Sequence, residues 1–286
     1  MDDPSDAFSK ELEGVSLGKE APMSSYEEKT VWITGASSGI GESLALELAK
    51  RGATLVLTAR RSALLEELRS RCPDPDRVHV LCGDLLDESS WAPLAREAEA
   101  AGGPIDILVN NAGVTQRAMA QDTLLADVRR LMELNFFAPI ALTNAVLPSM
   151  LARDTGRIVV VSSVAGYVGT PLRSSYAASK HAVRGYFDSL RAELHDTGVG
   201  VTIVCPGYIR TEISTHAISS DGQVHGKSDE GIASGMDPKE CAGAIADAVA
   251  KGCSEVYVGG KEVYGIYLKR FFPKLIERVV PKHAPE

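Results

Sequence analysis

Tyr176-Ala177-Ala178-Ser179-Lys180 sets a phenol and an ammonium four residues apart. In a helix that spacing puts both side chains on one face. A phenol titrating near pH 10 is a poor acid–base group at neutral pH. Bringing it to about 7 takes roughly 4 kcal/mol of preference for the phenolate, which one positive charge about 4 Å away in an effective dielectric near 20 supplies. The pair therefore reads as a proton-transferring tyrosine supported by a lysine. Tyr-x-x-x-Lys is weak evidence alone, and it recurs at Tyr257 to Lys261. That copy runs through Gly259-Gly260, where no helix aligns the two side chains, so it reads as structural. Ser163, thirteen residues before Tyr176, gives the first copy its weight. A hydroxyl there can hold a carbonyl oxygen while charge develops on it.

A second group of residues suits an anion. Thr34-Gly35-Ala36-Ser37-Ser38-Gly39-Ile40-Gly41 follows a short apolar run and opens an amphipathic one. Gly35 permits a tight turn, and Gly39 and Gly41 let backbone and helix approach a pyrophosphate held by the free N–H groups and dipole of the helix start. Glycines alone make only a turn; the strand–turn–helix context makes a dinucleotide loop. Gly14 to Glu20 fails as a triphosphate loop, being one residue short with Glu20 where Ser or Thr must meet magnesium. Some 20 residues after the glycines, where an acid would bond the ribose hydroxyls of NAD, stands Thr58-Ala59-Arg60-Arg61. Two guanidiniums match a 2′-phosphate, and cations at a helix start are otherwise disfavoured. The expected cofactor is NADP(H).

These residues need a scaffold. Apolar runs at Val31–Thr34, Thr54–Thr58, Val78–Cys82, Ile105–Asn110, Arg157–Ser162, Val201–Cys205 and Glu255–Val258 predict seven strands buried on both faces. Helical stretches fall at 40–51, 62–71, 88–101, 122–150, 175–196 and 238–251. Such alternation predicts an α/β fold: one doubly wound Rossmann domain with a parallel seven-stranded sheet and helices on both faces. Its ligand site lies at the carboxyl ends of the strands. Six strands end there in turn-forming or polar residues, including Asp84, Asn110-Asn111-Ala112-Gly113, Ser163 and Pro206-Gly207. Gly, Asn and Ser suit ordinary turns at any one strand end, but six consecutive ends point to a site.

Composition excludes several alternatives. The chain of 286 residues is 44% apolar and 24% charged, as a globular protein should be. A net charge of −8 disfavours nucleic acid as a partner. Five scattered cysteines with no C-x-x-C pair argue against a metal site or disulfide framework and for a reducing compartment, hence a cytoplasmic location. The first 28 residues are acid-rich without a long apolar run, which excludes a secretory signal and predicts a mobile extension before a catalytic domain at 29–260. No uninterrupted apolar run is long enough to predict a membrane-spanning helix; the nearest, Phe136 to Leu151, is broken by prolines and polar residues.

At this point the sequence resembles the short-chain dehydrogenase/reductase family over about residues 30–260. The match is carried by the glycine loop, Asp84-Leu85, Asn110-Asn111-Ala112-Gly113, Asn135, Ser163, Tyr176 with Lys180, and Pro206-Gly207 through Thr211. The resemblance implies hydride transfer between NADP(H) and a carbonyl, with Tyr176 giving the proton and Ser163 holding the oxygen. It implies that Asp84 contacts the adenine, that Asn111 supports the central strand, and that Leu85, Ala112, Gly113, Pro206, Gly207, Ile209 and Thr211 line the cofactor. Lys180 would also hold the nicotinamide ribose. Asn135 would kink its helix and hold a water in a lysine-linked relay; on its own it reads as a hydrogen-bonded core residue.

Within the family, the stretches Arg173 to Glu193 and Pro206 to Gly226 resemble the dehydrogenase/reductase branch. That implies a hydrophobic ketone, aldehyde or alcohol substrate: a steroid, a retinal-like compound or a lipid-linked ketone such as acyl-dihydroxyacetone phosphate. A 3-oxoacyl reductase is the alternative, and a non-catalytic NADP-binding regulator is a remote one. By resemblance a homodimer or homotetramer is expected. Residues 212–236 are expected to form a substrate lid over the strand ends. Val164, Tyr167, Val168, Pro171 and Tyr208 would line an apolar pocket, with Arg173 and Arg117 near an anionic substrate group or simply solvated. Lys261 to Glu286 holds six basic and three acidic residues, and Val263, Ile266, Tyr267, Phe271, Leu275, Val279 and Val280 approximate one helical face across Pro273. This basic amphipathic segment packs on the lid or a second subunit, or makes a peripheral membrane contact.

Overall fold

A computed structural model describes residues 23, 25–220, 226 and 230–283. Strands β1 (Thr30–Thr34), β2 (Thr54–Ala59), β3 (Val78–Cys82), β4 (Ile107–Asn110), β5 (Gly156–Val161), β6 (Val199–Pro206) and β7 (Glu255–Val258) form one sheet. All pairings are parallel, in the order β3-β2-β1-β4-β5-β6-β7. Winding reverses between β1 and β4, so the loops leaving these neighbours diverge and open a crevice at their carboxyl ends. The central strands β1 and β6 are buried at every position, whereas the edge strands β3 and β7 are mostly half-buried. That gradient is why the inner strands read as unbroken apolar runs.

Helices α1 (Gly39–Lys50), α2 (Ser62–Ser70), α3 (Trp91–Gly102), α4 (Leu125–Met132), α5 (Ala138–Ala152), α6 (Ser174–Glu193) and α7 (Pro238–Ala250) cover both faces. Leu44, Leu48, Leu65 and Ile245 pack with Ile33, Leu55 and Leu57 on one side. Leu94, Leu142, Val146 and Phe187 pack with Trp32, Leu108 and Ile158 on the other. Each such side chain contributes about 1.5–3 kcal/mol by leaving water. Trp32 satisfies its one donor by a 2.9 Å bond to Thr58 Oγ1.

Three expectations need correction. The stretch predicted as one helix at 122–150 is α4, a π-helical turn at Glu133–Phe137, and α5. Over Leu125–Ala152 it is long and apolar enough to cross a membrane by length and composition. Leu131, Ala138, Leu142, Val146 and Met150 on it are fully buried, so packing against the fold accounts for much of that apolarity.

The expectation of a mobile extension over residues 1–28 does not hold for its last residues. Residues 1–22 and 24 lie outside the described part, but Met23 donates its N–H to the Ala250 carbonyl at 2.7 Å. Tyr26 is buried beside α7, with its hydroxyl on the Ala246 carbonyl. Its ring fills the core between α1 and α7, a gain in apolar burial that offsets the loss of chain freedom.

The C-terminal segment does not present one face. It folds as α8 (Tyr264–Phe271) and α9 (Pro273–Val279), with Ile266 and Ile276 buried and Tyr267, Phe271 and Leu275 exposed. Pro273 lacks an N–H and restarts the helix, so the periodicity before it does not carry past it. Finally, Gln116–Arg117 pairs in parallel with Ile218–Ser219, two strands too short to show any period in sequence.

The segment after β6 is pinned at both ends. Met236 N–H bonds the Tyr208 carbonyl at 2.9 Å, and Arg210 N–H bonds the Met236 carbonyl at 3.0 Å. Its intervening residues 221–225 and 227–229 lie outside the described part.

Candidate active site

The crevice floor is stitched by one threonine and one asparagine. Thr34 Oγ1 accepts from the N–H groups of Asn111 and Ala112, both at 3.1 Å, and faces the Val109 carbonyl at 3.3 Å. Asn111 Nδ2 donates to the carbonyls of Thr34 at 2.9 Å and Gly35 at 3.2 Å. The ends of β1 and β4 are thereby fixed together, as expected for Asn111; Thr34 has the same task and was not singled out from sequence. Gly35 has φ +64°, and a Cβ on it would stand 2.7 Å from Ala112 Cα. A Cβ on Gly41 would meet Asn111 Nδ2 and the Gly35 carbonyl at 2.5 Å, so Gly41 lies behind the loop and brings α1 against it.

Ser37, Ser38, Gly39 and Ile40 face the crevice. Ser38 occupies the N-cap of α1 but its side chain makes no capping bond, which leaves the helix-start N–H groups to an anion. Arg61 donates to Ser37 Oγ at 3.2 Å, and Arg60 stands beside it in the same wall. Asp84 is at the rim, with one carboxylate oxygen on Leu86 N–H at 3.1 Å. Leu85, Ala112, Gly113, Pro206, Gly207, Ile209 and Thr211 complete the lining. An uncapped helix start facing the crevice, with guanidiniums beside it, fits a nicotinamide dinucleotide. Such a group supplies or accepts hydride when bound.

Tyr176 and Lys180 enter the crevice from the first turns of α6, both buried. Tyr176 and Ser163 are hydrogen-bonded through their side chains. Ser163 Oγ accepts from Ala165 N–H at 3.1 Å and lies 3.3 Å from the Pro206 carbonyl, which fixes the hydroxyl where β5 and β6 end. Lys180 Nζ donates to the Val161 carbonyl at 2.8 Å and sits 5.8 Å from the Tyr176 ring centroid. The phenol and ammonium thus share one pocket, as the spacing predicts. Burial pushes the Tyr176 phenol above its ordinary value; Arg173, then the bond with Ser163, pull it back. Burial also lowers Lys180 to about 8, against a small upward pull from Cys205. In this structure burial therefore opposes the use of both groups, raising the phenol and lowering the ammonium.

Asn135 lies in the π-helical turn, buried behind Gly113 rather than in the wall. Its amide exchanges two 2.9 Å bonds with the Val114 backbone and donates to Ser179 Oγ at 3.0 Å. Ser179 Oγ in turn donates to the Tyr176 carbonyl at 2.8 Å. The helix is interrupted where the kink is expected, by a π turn in which i→i+5 bonding locally underwinds it. The side chain braces the β4 loop to α6; with its amide so engaged, a relay water would have to meet another atom of the turn. In the second Tyr-x-x-x-Lys copy Tyr257 bonds Glu255 and Tyr167 away from the wall, whereas exposed Lys261 borders the cavity.

The cavity continues past Tyr176 to a volume of about 990 Å³. Val164, Val168, Tyr208 and Arg173 line it as expected. Tyr167 and Pro171 do not. Tyr167 turns its hydroxyl to Glu255 and Tyr257 and lies under the Arg184 guanidinium, 3.9 Å from its ring centroid. Arg117 is buried in its short strand, away from the wall. Sequence reading missed Ile213, Ile218 and Ile232 from the predicted lid, and Leu268, Ile276 and Val279 from α8–α9. The C-terminal segment is held by Glu262, whose Oε1 accepts from the N–H groups of Tyr208 at 2.7 Å and Gly260 at 2.9 Å. Its amphipathic pattern was the available signal, but not the surface it would cover.

Comparison with known proteins agrees with this geometry. Residues 29–221 match the model of the short chain dehydrogenase family. The chain is similar to dehydrogenase/reductase SDR family member 7B of Rattus norvegicus, 39% identical over 262 residues, covering 89% of this chain and 81% of the relative. Its fold is similar to a short-chain dehydrogenase/reductase from Burkholderia phymatum in complex with NAD (TM-score 0.78, 23% identity, 88% of this chain and 96% of that one). It is also similar to a metagenomic short-chain oxidoreductase in complex with NADP (TM-score 0.67, 30% identity, 82% and 98%). The chain belongs to the short-chain dehydrogenase/reductase family and is an NAD(P)-dependent oxidoreductase acting on CH–OH groups.

Proposed function

We propose that this chain uses NADP(H) to interconvert a hydrophobic ketone or aldehyde and its alcohol. The observation that carries the cofactor choice is Arg61 bonded to Ser37 beside Arg60, with no carboxylate at the end of β2. A 2′-phosphate there would meet two guanidiniums and a hydroxyl, whereas the ribose diol of NADH would lack an acid to receive it. Replacing both arginines by alanine should lower kcat/KM for NADPH by about 100-fold and change that for NADH by less than about threefold. An unmodified protein equally efficient with both cofactors would overturn this choice.

The chain's own residues divide the work. Ser163 Oγ holds the substrate oxygen, and Tyr176 Oη gives that oxygen a proton in reduction or takes one in oxidation. Lys180 and Asn111 to Gly113 hold the cofactor against Tyr176. Because burial keeps the phenol protonated at neutral pH, the site is set up to act as an acid, which suits reduction. The apolar cavity wall from the lid, α8 and α9 supports a hydrophobic substrate and leaves its identity open among steroid, retinal-like and lipid-linked carbonyls, with 3-oxoacyl reduction as the alternative.

The outer surface of α8–α9 favours a peripheral membrane contact. Tyr264, Tyr267, Phe271, Phe272 and Leu275 are exposed there among Lys269, Arg270, Lys274 and Arg278. Aromatic side chains ringed by cations suit the interface of an anionic bilayer. The double variant Phe271→Asp with Phe272→Asp should lose at least half of any co-sedimentation with anionic vesicles and still reduce a soluble carbonyl. Unchanged co-sedimentation would remove the contact. Exposed Phe137 and Leu151 on the α4–α5 helix support a homodimer or homotetramer through that surface.

A further inference from the structure

Tyr176 lies near two cations on its own helix. Lys180 Nζ is 5.8 Å from its ring centroid, and Arg173 Cζ is 6.0 Å from it. Arg173 is three residues before Tyr176 and occupies the N-cap of the twenty-residue α6. The helix dipole disfavours a cation at that end, so local helix chemistry gives no reason for an arginine there.

The surrounding backbone holds Arg173 in place at some cost. Leu172, directly before it, has φ +64°, a left-handed conformation that residues other than glycine seldom adopt. Its carbonyl accepts from Ala118 N–H at 3.1 Å. Arg173 donates to Thr115 Oγ1 at 3.3 Å, and Gln116 Oε1 accepts from Ser175 N–H at 2.8 Å. The strained turn and the start of α6 are therefore both tied to the short strand at Gln116–Arg117. Arg173 and Tyr176 line the same cavity, so the guanidinium faces the pocket where the proton moves.

We propose that Arg173 is a second supporting cation for the Tyr176 phenolate, acting through Tyr176 alongside Lys180. The proposal deepens the oxidoreductase reading above and rests on Tyr176 being the acid–base group. Lys180 is a weakened support, because burial lowers it from its ordinary value to about 8. An arginine stays charged throughout that range. Of the groups around Tyr176, Arg173 is the first that pulls the phenol down against burial, and the Ser163 hydroxyl is the second. The other charged or titratable groups on the cavity wall are Arg130 of α4, Tyr208, Glu212 and His216 after β6, Lys261, Glu262 and Tyr264 after β7, and Asp84, Arg60 and Arg61 at the cofactor end; Cys205 of β6 bears on Lys180.

The test compares Arg173→Gln and Arg173→Lys with the unmodified protein, loaded with NADP⁺ and an alcohol, from pH 6 to pH 10. Arg173→Gln should move the limb that reports phenol ionisation up by about one pH unit, the discounted effect of a charge about 6 Å away through partly solvated surroundings. At pH 8 kcat should fall about tenfold, matching that shift, while KM changes less than about threefold. Arg173→Lys should recover the limb and most of the rate. A KM effect alone, or a lower rate with an unmoved limb, would overturn the proposal in favour of a substrate contact or a structural role. Tyrosinate absorbance of each protein minus its Tyr176→Phe counterpart reads the same ionisation without turnover. If no alcohol or carbonyl reacts, the functional reading fails, yet the absorbance shift still decides the role of Arg173.

Discussion

Tyr176→Phe is expected to lower turnover by about 10³-fold, within the range for losing a positioned proton donor. The substitution removes one hydroxyl and leaves the ring, which packs with Leu131 and Ile218. Ser163 Oγ keeps its contacts with Ala165 N–H and the Pro206 carbonyl, so the oxygen-holding group stays in place. Lys180 keeps the Val161 carbonyl, and nothing in the Thr34–Asn111 stitching touches the phenol. Cofactor binding should therefore change by less than about threefold, and stability by about 1 kcal/mol for one lost hydrogen bond. The measurements are cofactor fluorescence for binding and its absorbance band for turnover, over steroid, retinal-like, quinone and acyl-glycerone phosphate carbonyls. A variant within tenfold of the unmodified protein would end the proton-donor role. An unmodified protein that binds cofactor tightly and turns over nothing would favour the regulator.

The parts legible in the sequence share a short range. Val78–Cys82 and Glu255–Val258 are strands with the bounds read from their apolar runs, and the inner strands differ by a residue or two. The glycine loop is legible because each glycine answers a local requirement: positive φ at Gly35, close approach at Gly41. Once parallel winding follows from the alternation, every loop after a strand falls on one edge, and most of the wall follows. Tyr167 fails for a different reason. Its place after Ser163 was correct, but its side chain was claimed by Glu255 and Tyr257, some ninety residues away. The C-terminal wall likewise depends on Glu262 reaching Tyr208 N–H, and the aim of Arg173 depends on a left-handed Leu172. Pattern and propensity carry no information about such pairings.

The electrostatic idea survives in altered form. Spacing on a helix face fixes which groups meet, but their distance and solvation decide what the meeting does. Here both groups are buried, and burial acts on both partners against their use: it raises the phenol and lowers the ammonium. A dry pocket strengthens every charge inside it and penalises each one as well.

That penalty gives the second large effect. Lys180→Met should lower kcat/KM by 10²-fold or more and yet stabilise the protein without cofactor at pH 7. Lys180 is lowered from its ordinary 10.5 to about 8 by burial. Its folded value thus lies below its unfolded one, and between about pH 8 and 10.5 the unfolded chain binds more protons. Stability from this group therefore rises with pH through that window, and below it the charged lysine costs the fold about 3 kcal/mol. Methionine has similar length and no charge; it forfeits the bond to the Val161 carbonyl, about 1 kcal/mol. The net gain at pH 7 is about 2 kcal/mol, and it should shrink as pH rises and vanish near pH 10, where the lysine is neutral and still bonded. Denaturant unfolding of both proteins at several pH values measures the difference directly and cancels titrations they share. A methionine variant that is less stable at pH 7, or a gap that does not close with pH, would show that Lys180 carries no buried charge. The lysine would then support neither the cofactor nor the tyrosine in the way its position suggests.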